Sequence, residues 1–169
     1  MKASRAKGNK SSRPLIGQLR EALDGEWPAE IYRSEVLSGK TRSFEFTNLV
    51  RPRAVQIAHT LLGIELKLGR QRIHVPDLAT ARYLAVFAQL GVPKVAVPYD
   101  ITRISAIADR LESACQRLLL LADHLTRALA PSSGPALRRR VLRELRTELT
   151  GLGSGERYPH FEIKERLRR

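Results

Sequence analysis

Cysteine is nearly absent: a single residue, Cys115, leaves no intramolecular disulfide and no multi-cysteine zinc site to consider. The four histidines, His59, His74, His124 and His160, include no helical pair at metal-ligand spacing. No apolar run reaches the ~18 residues needed to cross a bilayer, and no apolar signal stretch follows Met1-Lys2-Ala3-Ser4-Arg5. These absences predict a cytoplasmic protein with no membrane attachment, no metal and no cofactor. Aromatic residues are only 5% of the chain, too few for a base-stacking platform, and Phe44 and Phe46 at strand spacing read as core.

Acidic residues are also scarce, 17 against 30 Lys plus Arg, so the chain carries a formal charge of +13. That charge is unevenly spread. Residues 1–13 contribute +5 through Lys2, Arg5, Lys7, Lys10 and Arg13 with no acid, residues 14–130 contribute +3, and residues 131–169 contribute +5. A chain this basic meets a polyanion, and in a cytoplasmic protein that means nucleic acid before membrane.

With 43% hydrophobic residues the chain has enough apolar material to bury a core. Residues 1–13 read as a flexible basic arm. A helix follows over 14–24, with Leu15, Ile16, Leu19, Ala22 and Leu23 on its apolar side. Residues 28–38 fit either a helix stopped by Gly39 or a hairpin strand through Tyr32, Ser34 and Val36. Phe44 and Phe46 mark a half-buried strand, and Ala54, Val55, Ala58, Leu61 and Leu62 recur at helical spacing up to a stop at Gly63.

The clearest local signal is the alternation over residues 64–75. A two-residue Gly69-Arg70 turn pairs Ile64 with Val75 and Leu66 with Ile73 on a core face, leaving Glu65 opposite His74 and Lys67 opposite Arg72 on a polar face. Asp77 caps a helix over 78–90 that Gly91 ends, and Lys94-Val95-Ala96-Val97-Pro98 is a buried strand. Asp100 caps a long helix to Ala130. Residues 131–135 form a linker, 136–151 a basic amphipathic helix, and 152–169 a basic tail with an extended segment through Phe161 and Ile163.

Residues 14–130 therefore read as a single α+β domain. The order predicts an antiparallel sheet of about four strands in βαββαβ, ferredoxin-like order, packed by helices and followed by the long helix and the further basic helix.

Catalytic patterns are incomplete. Ser38-Gly39-Lys40-Thr41 ends like a phosphate loop, but Ser34 stands where the first glycine belongs and a strand follows instead of a helix. Glu65 and Lys67 have the spacing of a metal-dependent nuclease, which needs a further carboxylate from among Asp24, Glu26 and Glu45. Cys115 lies in an apolar stripe without an orienting base.

Binding patterns are stronger. Lys67 and Arg72 repel across the hairpin, with Arg70 at its tip, and a phosphate backbone relieves that repulsion. Arg103, Arg110 and Arg117 form one line along the long helix, with no acid three or four positions away apart from Asp100, and Arg139, Arg143 and Arg146 repeat the theme. Leu118, Leu121, Leu125 and Leu129 continue an apolar stripe that needs cover, from the final helix or from a second subunit. The expectation is a non-enzymatic nucleic-acid-binding protein, RNA or ribonucleoprotein before DNA. An interaction protein dimerising or docking through the long helix is the alternative, and a nuclease around Glu65 and Lys67 comes third.

Overall fold

A computed structural model describes residues 13–155. The expected basic arm, apart from Arg13, and the tail from 156 with its segment through Phe161 and Ile163 lie outside the described residues. The elements run α1 (Arg13–Leu23), α2 (Pro28–Ile31) continued by a π-type turn (Tyr32–Val36), β1 (Thr41–Glu45), β2 (Gln56–Thr60), β3 (Gly63–Leu68), β4 (Gln71–Val75), α3 (Leu78–Leu90), β5 (Lys94–Pro98), α4 (Ile101–Thr126) and α5 (Ser133–Leu152).

The protein is α+β, with two small antiparallel sheets, β1-β5 and β2-β3-β4. The four-stranded ferredoxin-like sheet does not form, and the helix expected before Gly63 is strand β2. The apolar positions there that mimic a helical stripe include Leu61 and Leu62, which instead form the fully exposed β2-β3 turn. What decides the conformation is the alternation Val55, Ile57, His59 against Gln56, Ala58, Thr60, which matches β3 residue for residue. A meander joined by two short turns needs no crossover, so β1 is left to pair with the distant β5.

The β3-β4 hairpin has the expected register, Ile64 opposite Val75, Leu66 opposite Ile73 and Lys67 opposite Arg72. Gly69 at φ +64° begins its turn, a conformation that costs glycine nothing. The Ile57-Leu66-Ile73 row faces α3, whose nine buried positions make it the central helix of the core. Asp77 accepts the Thr80 amide at 2.7 Å at the start of α3, and Gly91 at φ +76° ends it.

Of residues 28–38, 28–36 are helical and the last two form a turn, which decides between the two alternatives there, and Pro28, Ala29, Ile31, Tyr32 and Val36 are buried. Tyr32 and Tyr83 then close β5. The Ala96 amide donates to Tyr32 Oη at 2.8 Å, and Tyr83 Oη donates to the Ala96 carbonyl at 2.5 Å. Groups that would otherwise seek a further strand are thereby satisfied inside the core.

The long helix stops at Thr126, and α5 begins at Ser133, inside the expected linker. Asp123 meets Arg138, while Cys115 and Leu119 share a cavity wall with Leu142, so α5 returns antiparallel along α4. Leu137, Val141, Leu145 and Leu149 are buried in the same core as Leu118 and Ala122. Each fully buried leucine contributes ~1.5–3 kcal/mol, so α5 is an integral layer of the fold. Leu121 and Leu125 pack partly against that core, and Leu129 lies exposed beyond the end of α4.

Candidate nucleic-acid interface

Packing divides the basic residues into those with and those without a carboxylate. Arg103 bonds the Glu35 carboxylate at 3.3 Å, and Arg110 bonds Glu35 at 3.0 Å and Glu26 at 2.7 Å. The bond from Glu26 contributes most to raising the Arg110 pKa, so this guanidinium is held charged by its neighbours. Two arginines of the expected helix ridge are therefore neutralised by Glu35 of the π-type turn and Glu26 just before α2. Arg117 is exposed and has no carboxylate partner among the described residues. Elsewhere Arg82 is bound by Asp109 and Glu112, each at 2.6 Å, Arg20 pairs with Glu148, and Lys94 lies 3.7 Å from Glu45.

A group of cations without such a partner gathers around one end of the meander. Arg51, Arg53, Lys67 and Arg70 have no carboxylate partner among the described residues, and Arg72 reaches Glu65 only at 3.9 Å. Glu65 is the sole acid between Glu45 and Asp77, a stretch that carries five Lys and Arg. Its Oε2 is buried and lacks a hydrogen-bond partner, so it offsets the Lys67-Arg72 repulsion only in part.

The Gly69-Arg70 tip and the 48–53 loop enclose a cleft of about 420 Å³. Leu49 and Leu68, both buried, form its floor, and Asn48, Arg53, Arg70 and Gln71 supply its polar groups. Two anchors fix the loop. The Arg53 amide donates to the Ala88 carbonyl at 3.2 Å, and Gly91 lets the backbone of Arg51 and Pro52 approach the end of α3 closely. Leu68 and Gln71 are register partners one position from Lys67 and Arg72, so the cleft and the Lys67-Arg72 pair occupy opposite faces of one hairpin, with Arg70 between them.

From α5, Arg146 donates to the Val50 carbonyl at 2.9 Å and so brings the basic side of that helix to the same loop. Arg139 and Arg143 are exposed on it, without a carboxylate partner among the described residues. Of the nine basic residues singled out from sequence, the fold thus brings Lys67, Arg70, Arg72 and Arg146 to one region and ties Arg103 and Arg110 to acids. Sequence reasoning missed Asn48, Arg51, Arg53 and Gln71. The signal for Arg51 and Arg53 was present, since residues 46–64 contain no acid.

The nuclease residues are not assembled. Glu26 is bound to Arg110, and Glu45 lies on the other sheet beside Lys94. No group of three or more His, Cys, Asp or Glu placed to hold a metal ion occurs among the described residues. Lys40 and Thr41 lead into β1, as a turn followed by a strand requires.

No protein-family model, curated protein or solved structure matches this chain.

Proposed function

We propose that the protein is a non-enzymatic nucleic-acid-binding protein, directed to RNA or to a ribonucleoprotein, that contacts phosphates through the meander tip. The observation that carries this reading is the segregation of charge. Arg20, Arg82, Arg103 and Arg110 on the helical layers are matched by carboxylates, whereas the neighbouring cations Arg51, Arg53, Lys67 and Arg70 at the meander are not. Unmatched cations on adjoining surfaces repel one another, and a phosphate backbone offsets that repulsion while releasing its condensed counterions. Arg139, Arg143 and Arg146 extend the footprint along α5, and the basic ends of the chain add a long-range attraction.

A dimer through the long helix has less support, because Leu118 is already covered within the chain and Leu121 and Leu125 are partly covered.

Titration of a labelled RNA at several salt concentrations tests the proposal. Wild type should give a steep negative slope of log K against log salt, and Arg53→Ala with Arg70→Ala should reduce its magnitude by ~0.7–0.9 for each phosphate that is no longer neutralised. Binding that is absent, or indifferent to salt, overturns the proposal.

A further inference from the structure

The cleft at the hairpin tip differs from a plain basic patch in having both a floor and amides. Phosphate contacts alone need exposed cations and no enclosure. Here the buried side chains of Leu49 and Leu68 form an apolar floor, and Asn48 and Gln71 each bring one carbonyl acceptor and one amide donor group to the rim. No carboxylate lines it. Its volume, about 420 Å³, lies within the ~300–1,000 Å³ of small-ligand sites.

We infer that this cleft takes one unstacked nucleotide of a single-stranded RNA segment. The inference rests on the nucleic-acid reading above and specifies its substrate. The base lies on the Leu49-Leu68 floor, where Gln71 and Asn48 meet its edge with donor and acceptor together, as side-chain amides do with bases. Arg53 and Arg70 hold the phosphates on either side of that nucleotide. The backbone then passes over the tip to Lys67 and Arg72 on the opposite face of the hairpin. A duplex keeps its bases stacked inside a convex cylinder and offers this concave site only its sugar-phosphate surface.

A second cavity, about 280 Å³ between α3, α4 and α5, lacks this combination, since its Arg82 and Glu112 neutralise each other.

The test uses the full chain and two probes, a mixed-sequence single-stranded RNA of about ten nucleotides, long enough to span the tip as an extended segment, and the same strand annealed to its complement. Asn48→Gly keeps the left-handed backbone at φ +56° while removing the amide, and it is combined with Gln71→Ala. Wild type should bind the single strand roughly tenfold tighter than the duplex, the order expected of one good base contact. The double variant should lose that preference with the slope of log K against log salt unchanged, because every phosphate-binding cation is still in place. A melting curve confirms that the variant is folded. Equal or tighter duplex binding by wild type, or a folded double variant that still prefers the single strand, overturns the nucleotide cleft while leaving phosphate binding intact. Absence of salt-dependent binding to both probes overturns the underlying reading as well.

Discussion

The Tyr32 hydroxyl accepts the Ala96 amide at 2.8 Å and donates to the Gly153 carbonyl at 2.7 Å, so one side chain ties β5 to the segment that follows α5. The Tyr32 ring packs on Phe87, which packs on Tyr83, with ring centroids 5.4 Å apart for Tyr32-Phe87 and 5.0 Å for Tyr83-Phe87. Tyr32→Phe keeps the ring and strands the buried Ala96 amide, and each stranded group costs ~1–3 kcal/mol. Denaturant unfolding should show that loss, with the far-UV circular dichroism of the native state unchanged. Wild-type stability in the variant would mean that water or a shifted backbone takes over the bond.

Arg103→Ala with Arg110→Ala separates the helix ridge from the hairpin tip. All three ion pairs are partly exposed, so their loss should cost no more than ~1 kcal/mol each. RNA affinity at fixed salt should fall much less than with Arg53→Ala and Arg70→Ala, because Glu26 and Glu35 already hold these two guanidiniums. A larger loss from the ridge pair would move the phosphate path onto α4.

Gly91→Ala tests how the cleft loop is held. A Cβ there would lie 2.6 Å from the Pro52 nitrogen and 2.8 Å from the Arg51 carbonyl carbon, at a backbone φ of +76°. Left-handed strain alone costs ~1–2 kcal/mol, and contact with rigid backbone adds to it. Gly25→Ala is the control, since its φ is +80° but its Cβ would meet nothing within 4 Å. The melting temperature should fall clearly further for Gly91→Ala, and RNA affinity should fall with it as Arg53 is displaced.

The Cys115 thiol is pushed up to about 12, first by burial and then by Glu112. In the unfolded chain a thiol ionises near ~8.5, so between that pH and about 12 the unfolded state sheds a proton that the folded state keeps. Folding stability from this group is complete below pH ~8.5 and declines by ~1.4 kcal/mol per unit as pH rises further. Urea midpoints should fall between pH 8 and pH 10 for wild type and fall less for Cys115→Ala. Burial raises Tyr32 and Tyr83 in the same direction and adds to the decline above pH ~10.

Much of the local structure was legible in the chain. The β3-β4 register follows from strict alternation around a two-residue glycine turn, because a short loop leaves little choice of pairing. The limits of α3 follow from Asp77 and Gly91, which satisfy the helix ends through groups only a few residues away. Residues 56–60 were misread because Ala54, Val55, Ala58, Leu61 and Leu62 fit a helix as well as a strand, and only pairing with β3 made the strand the better burial.

By itself, then, the sequence determined the net charge, the hairpin and its polar face, and the helices with clear caps. Tertiary structure decided which of the cations remain unmatched. Arg110 meets Glu26 and Glu35 across 84 and 75 positions of chain, and Arg53 reaches the Gly69-Arg70 tip because its loop docks on α3 at Ala88 and Gly91. Local spacing reports interactions within a turn of helix or across one hairpin. The pairing of distant charges depends on which surfaces the core presses together.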